Sequence, residues 1–205
     1  MTNPDLRHIA VILDRSGSMQ TVKSDTEGGL CAFLDTQHEA PGQTTVSLYQ
    51  FDHAYEAVYE NTPLADVPAF TLHPRGMTAL LDAVGRTIQS VGEQIAAKPE
   101  DERPGEVIVV ILTDGQENAS TEYGLDQVKN LITRKQDTHG WKFVFLGADQ
   151  DAFAASSSMG IGRDTTLSYS SGHTQRSMRS AGRMVARGTT TGRYAFNDDE
   201  RDETS

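Results

Sequence analysis

Three separate stretches of the chain carry oxygen-bearing side chains that could bind a divalent cation together. Asp14, Ser16 and Ser18 alternate directly after an apolar run. Thr78 stands at the start of a helical pattern, and Asp114 follows the most apolar run of the chain. Oxygen ligands without nitrogen or sulfur favour a hard cation, so the candidate ion is Mg²⁺, with Mn²⁺ or Ca²⁺ as the alternatives.

Each stretch also has a purely structural interpretation. Aspartate and serine after a strand, such as Asp14 and Ser16, often cap the next helix or close a turn. Thr78 is a good helix N-cap, and Asp114-Gly115 is a common turn sequence. The metal hypothesis therefore depends on the three stretches meeting in space.

The elements that precede these side chains indicate such a meeting. The apolar run Val107-Ile108-Val109-Val110-Ile111-Leu112 is typical of a central strand buried on both faces, and a shorter apolar run leads to Asp14. The carboxyl ends of parallel strands share one edge of a sheet, where α/β proteins bind ligands. Two carboxylates and three hydroxyls carry too little charge for tight calcium binding by the protein alone. They suit Mg²⁺ or Mn²⁺, which keep waters and accept an outside ligand.

The remaining periodicity predicts an α/β fold in which strands and helices alternate after an early hairpin. We predict a single Rossmann-like, doubly wound domain with a mostly parallel sheet, one antiparallel edge strand and helices on both faces. Strands are expected at residues 8–14, 44–51, 54–59, 107–112, 141–146 and 165–169, and helices at residues 25–38, 81–95, 125–132, 150–158 and 174–188.

Composition limits the function. The chain has 205 residues and a formal net charge of −11, which disfavours binding to a nucleic-acid backbone. The first apolar run is too short for a membrane span or a signal peptide, so we expect a cytoplasmic protein without a membrane partner. The lone Cys31 lies in a helical pattern and is expected to be a small buried thiol.

The C-terminal region separates by charge. Residues 174–188 form a basic amphipathic helix, which either packs its apolar face on the domain or docks a partner. We favour packing, and we assign residues 5–188 to the domain. Residues 189–205 are predicted to be a polar, acidic and flexible tail that could lie against the arginines of the helix. Those arginines recur at intervals of three and four residues, at positions 176, 179, 183 and 187.

Taken together, the motifs resemble the von Willebrand factor type A (VWA) domain with its metal-ion-dependent adhesion site. Asp14-Arg15-Ser16-Gly17-Ser18 matches the Asp-x-Ser-x-Ser element of this family, and the threonine and aspartate elements match Thr78 and Asp114 in order. The resemblance covers about residues 5–170. It implies a six-stranded sheet in which the early edge strand is antiparallel.

The resemblance also implies a mode of binding. Ser16, Ser18 and Thr78 would coordinate the ion by their hydroxyls, while Asp14 and Asp114 would act partly through waters. The vacant coordination position would take an Asp or Glu of a partner protein. The function expected is a non-enzymatic protein-binding module, and intracellular members of the family often work beside an AAA+ ATPase or within a larger assembly.

An enzymatic alternative stays open. The same ion could assist a hydrolase as a Lewis acid, with Glu117 or His53 as the general base. The sequence contains neither a P-loop nor a G-x-S-x-G nucleophile motif, and its histidines show no zinc spacing. Asp149 also follows a strand pattern, but a helix cap explains it equally well.

Overall fold

The computed structural model describes residues 1–148 and 151–204 of the chain. The strands are β1 (Asn3–Asp14), β2 (Gln43–Phe51), β3 (Tyr55–Pro63), β4 (Pro104–Thr113), β5 (Lys142–Ala148) and β6 (Thr166–Tyr169). The helices are α1 (Lys23–Gln37), α2 (Leu80–Ala96), α3 (Leu125–His139), α4 (Ala152–Ser158), α5 (Thr174–Thr191) and α6 (Asp198–Asp202). Short 3₁₀ helices span Gly17–Val22, Leu64–Asp66, Glu100–Glu102, Arg163–Thr165 and Ser171–His173.

The strands form one six-stranded sheet in the order β3-β2-β1-β4-β5-β6. Only the β2–β3 pair among them is antiparallel, and β3 lies at an edge. The predicted mostly parallel sheet with one antiparallel edge strand is therefore confirmed. Strands β1 and β4 pair directly, with Leu13 opposite Leu112, so the loops that follow them begin side by side at one edge of the sheet.

Alternation along the strands divides the core into two layers, because successive side chains of a strand point to opposite faces. Ile9, Val11 and Leu13 pack with apolar residues of α1 and α5 on one face. Ala10 and Ile12 pack with residues of α2, α3 and α4 on the other face. Because helices cover both faces of β1, apolar residues occupy consecutive positions of this strand rather than every second one.

Several local predictions need correction. Strand β3 continues to Pro63, beyond the predicted end at residue 59, because its pairing with β2 extends to Thr45. Strand β4 begins at Pro104, three residues before the predicted start at residue 107. Cys31 is exposed on α1 rather than buried. This position of α1 faces solvent, which the residue type alone does not indicate.

The acidic tail is folded rather than flexible over the part that the structure describes. Asn197 caps α6, and its side chain accepts a hydrogen bond from Glu200 N at 2.8 Å. The Glu200 carboxylate is buried and pairs with Arg187 of α5 at 2.7 Å. Arg183 pairs with Glu203 in the same way. The tail therefore covers part of the arginine stripe, as the charge pattern suggested.

Helix α5 packs on its own domain, as predicted. Met178, Ala181 and Val185 are completely buried in the core layer that also contains α1. Gly182 lies so close to α1 that a Cβ atom at this position would overlap the Thr36 hydroxyl. The apolar face of α5 is thus already used by the domain.

Candidate metal centre

The Asp14 carboxylate is completely buried at the carboxyl end of β1. One oxygen accepts a hydrogen bond from Ser16 N at 2.6 Å, which closes the turn after the strand. The other accepts a hydrogen bond from the Thr113 hydroxyl at 2.6 Å. Because Thr113 is the last residue of β4, this bond ties the ends of the two central strands together.

A chain of hydrogen bonds links the first and third loops. The hydroxyls of Ser16 and Ser18 lie 3.0 Å apart. The Ser18 hydroxyl donates to Asp114 Oδ1 at 2.6 Å, across 96 residues of sequence. The side chains of Asp14, Ser16, Ser18 and Asp114, predicted from separate stretches, therefore lie in one small cluster.

Thr78 reaches the same cluster from the second loop. Its hydroxyl lies 2.9 Å from the position that a Cβ atom of Gly115 would occupy, and the Ser18 hydroxyl lies 3.7 Å from that position. Gly115 thus leaves room for Thr78 to approach the third loop. Thr78 is not a helix cap, because α2 begins at Leu80 after Ala79 and its start has no side-chain cap.

Backbone hydrogen bonds hold the second loop against the first. Gly17 N donates to Gly76 O at 3.1 Å, and Arg75 N donates to Arg15 O at 2.7 Å. Gly76 has a φ of +73°, a left-handed conformation that favours glycine. A side chain there would also overlap the ring of His53. This geometry explains the glycine two residues before Thr78.

Two residues that support the site were not identified from the sequence. Asn118 accepts a hydrogen bond from Thr78 N at 2.9 Å through its side chain, and its own N–H donates to Thr78 O at 3.0 Å. Thr113 orients Asp14, as described above. Thr113 could have been found from the sequence, because it directly precedes the candidate ligand Asp114. Asn118 had no such signal, because its partner is forty residues away in the chain.

The electrostatics of the cluster favour a cation. The pKa of Asp14 is raised to about 6, mainly by burial and also by the nearby charge of Asp114, although hydrogen bonds from Thr113 and Ser16 act in the opposite direction. Within residues 1–148 and 151–204, no basic side chain forms an ion pair with Asp14. Carboxylate and hydroxyl oxygens are the donors that Mg²⁺ accepts, so the residues fit the ion that the sequence predicts.

Arg15, the basic residue inside the first loop, faces away from this cluster. Its guanidinium is buried and donates to Asp52 at 3.0 Å and to Gln50 at 3.1 Å. It also pairs with Glu56 of β3. Burial alone would raise the pKa of Asp52, but hydrogen bonds from Arg75 and Ala54 and the charge of Arg15 hold it below its usual value. The charge of Arg15 is therefore neutralised within the fold.

The two candidate general bases of the hydrolase hypothesis are both engaged elsewhere. The Glu117 carboxylate accepts hydrogen bonds from Leu81 N, Ala119 N, Ser120 N and the Ser120 hydroxyl, at 2.7 to 3.0 Å. His53 lies 3.4 Å from the Asp52 carboxylate. The Glu117 carboxylate is therefore occupied by four donors, whereas His53 contacts Asp52, the carboxylate that Arg15 and Arg75 also contact.

The predicted cap of the helix α4 is only partly open to inspection. The position of Asp149 lies outside the described residues, so its predicted role as a helix cap is untested. Asp151 caps α4, since its side chain accepts a hydrogen bond from Ala154 N at 2.9 Å.

Among the described residues, no helix has both the length and the apolar character that a membrane crossing requires.

Solved structures share this arrangement of strands and helices. The mussel byssus proximal thread matrix protein 1 superimposes with a TM-score of 0.65 at 15% identity, over 89% of this chain and 47% of that one. A von Willebrand factor type A protein from Catenulispora acidiphila gives a TM-score of 0.61 at 14% identity, over 90% of this chain and 43% of that one. The chain has the von Willebrand factor A fold.

One of the solved structures with the VWA fold has about the same length as this chain. The vWF domain of the type V pili tip protein Mfa5 from Porphyromonas gingivalis gives a TM-score of 0.61 at 12% identity, over 94% of this chain and 97% of that one. The chain spans about half the length of the first two structures. No protein-family model and no curated protein matches the sequence. These likenesses establish the fold, and the function has to be argued from the site.

Proposed function

We propose that this chain is a divalent-cation-dependent protein-binding module that captures a carboxylate of a partner protein. The single observation that carries the proposal is the hydrogen bond between the Ser18 hydroxyl and Asp114 Oδ1, which closes a cluster of oxygen donors from separate loops. The proposed ion is Mg²⁺, with Mn²⁺ or Ca²⁺ as substitutes. The proposed ligands are Asp14, Ser16, Ser18, Thr78 and Asp114.

The chemistry of the donors favours an open site. Neutral hydroxyls leave most of the charge on a bound cation, so the ion attracts a further acidic ligand from outside. Ser18 is exposed and Asp114 is partly exposed, which gives such a ligand access. A pilus tip protein is among the structures with this fold, which is compatible with adhesion through a partner protein.

The proposed role is non-enzymatic. Glu117, one candidate base of the hydrolase alternative, already accepts four hydrogen bonds, and His53, the other, contacts the Asp52 carboxylate outside the cluster. An AAA+ ATPase or a larger assembly as partner, and the cytoplasm as location, remain predictions drawn from the sequence.

Removal of one hydroxyl tests the proposal. Thr78→Val keeps the shape of the side chain and removes its oxygen, so Mg²⁺ affinity measured by titration calorimetry should fall by about tenfold or more. Thr87→Val is the matched control, because Thr87 is also a buried threonine but its hydroxyl bonds Tyr55 rather than the cluster. The proposal fails if wild-type protein binds neither Mg²⁺ nor Mn²⁺, or if both variants bind as the wild type does.

A further inference from the structure

A mainly apolar pocket of about 340 Å³ opens beside the candidate metal centre, between α2, α3 and α4. Its volume lies in the range of small-ligand sites and exceeds that of a single large side chain. The apolar walls come from Leu80, Leu81, Leu125, Ala154, Ala155 and Met159.

The pocket is continuous with two loops of the metal centre. Leu80 and Leu81 form the start of α2, and only Ala79 separates them from Thr78. Gln116 and Glu117, which also line the pocket, follow Asp114 in the third loop. A peptide that places a carboxylate at the metal centre would therefore have its neighbouring residues within reach of the pocket, since residues along an extended chain are only about 3.3 Å apart.

The charges around the pocket favour an uncharged occupant. Glu117 is saturated by four hydrogen-bond donors, and Asp151 accepts from Ala154 N. In the part of the chain that the structure describes, no lysine or arginine lines the pocket. An acidic side chain would thus find no opposite charge, and a basic one would meet only carboxylates that already accept hydrogen bonds, whereas an apolar side chain would lose only water contacts.

Exposed apolar side chains concentrate at this place. Over residues 1–148 and 151–204, four large apolar residues are exposed: Met1, Val58, Met77 and Leu125. Met77 immediately precedes Thr78, and Leu125 forms part of the pocket wall. Exposed apolar surface next to a polar binding centre is characteristic of a recognition site.

We propose that this pocket selects the partner by receiving an aliphatic or aromatic side chain located one to three residues from the carboxylate that binds the ion. This inference rests on the proposed function, because the carboxylate sets the register of the peptide. The partner segment is thus an acidic residue with a bulky apolar neighbour. The ion attracts the acidic residue, and the pocket distinguishes acidic segments by their apolar neighbour.

A fully randomised nine-residue peptide library, selected on the folded chain in Mg²⁺ and in EDTA, tests the two proposals separately. Ala154→Phe places a ring in the pocket from an exposed position of α4, and Leu125→Asn makes the wall polar. Ser157→Phe is the matched control, because Ser157 is exposed on the same helix but does not line the pocket.

The expected result is Mg²⁺-dependent enrichment of Asp or Glu, with Leu, Ile, Met, Phe or Trp at a constant offset. Ala154→Phe and Leu125→Asn should reduce the apolar enrichment about tenfold or more and retain the acidic enrichment, since one buried apolar side chain contributes about one to two orders of magnitude in affinity. Ser157→Phe should behave as wild type.

Acidic enrichment without an apolar preference would overturn the inference and leave the metal-dependent function intact. An apolar preference that persists in both pocket variants, or in EDTA, would also overturn it. Absence of any acidic enrichment would count against the proposed function, and the inference would fall with it.

Discussion

The unfolding free energy of this protein should fall in acid because of one histidine buried in β1. His8 is almost completely buried, and its Nδ1 lies 2.9 Å from the Thr45 hydroxyl. Its Nε2 is buried and finds no hydrogen-bond partner in residues 1–148 and 151–204. Burial, together with the positive charge of Lys98, lowers the pKa of His8 to about 4.

The size of the effect follows from the two pKa values. The unfolded chain binds a proton at the ordinary histidine pKa of 6.5, whereas the folded chain binds it at about 4. Stability is therefore unaffected above pH 7 and declines as the pH falls below 6.5. The expected loss from His8 is about 0.8 kcal/mol at pH 6, about 2 kcal/mol at pH 5 and about 3 kcal/mol at pH 4.

The assay is urea unfolding of the wild type and His8→Asn between pH 7.5 and 4, in the presence of EDTA. Carboxylates also titrate in this range, so the informative quantity is the difference in unfolding free energy between the two proteins at each pH. Asparagine does not titrate and can still bond Thr45. The wild type should lose about 2 kcal/mol relative to His8→Asn by pH 5.

Substitution of an exposed histidine provides the control. His38 is exposed at the end of α1, so His38→Asn should follow the wild-type profile throughout. A constant difference between the wild type and His8→Asn across the whole pH range would refute the reasoning. It would mean that the buried imidazole accepts a proton as easily as the unfolded chain does.

Three further substitutions test how the loops and helices are positioned. Gly115→Ala should weaken Mg²⁺ binding in calorimetry, because the new methyl group would lie 2.9 Å from the Thr78 hydroxyl. Asn118→Ala should also weaken it by removing an acceptor for Thr78 N, whereas urea unfolding in EDTA should change by only about 1 kcal/mol. Gly182→Ala should lower the unfolding free energy by about 1–3 kcal/mol, because the new Cβ would overlap the Thr36 hydroxyl between α5 and α1. Unchanged urea unfolding would contradict this packing.

Local patterns predicted the architecture well. The apolar runs before Asp14 and Asp114 correspond to β1 and β4, and the alternating segments after α1 correspond to the antiparallel pair β2 and β3. These predictions succeeded because burial on both faces of a strand leaves a continuous apolar run, which is a property of the local sequence. The oxygen-bearing side chains of the candidate site were also identified from the sequence, and their role as ligands of a hard cation stays a prediction.

Local patterns were less informative where a residue depends on distant neighbours. The tail was predicted to be flexible from its polar composition, but Glu200 is buried by its pairing with Arg187. Cys31 was predicted to be buried from its residue type, but its position on α1 exposes it. In both cases the outcome was decided by the placement of whole helices, which charge and residue type do not specify.

The sequence by itself determined which side chains could bind a cation and which strands would carry them. Only the tertiary structure decided that the loops after β1 and β4 meet, because these two strands pair. It also decided that Asn118 forms two hydrogen bonds with the backbone of Thr78. It also decided that Arg15 turns inward to Asp52 and leaves the cluster acidic. The physical reason is that these contacts join residues tens of positions apart, and their geometry exists only once the sheet brings the loop ends to a common edge.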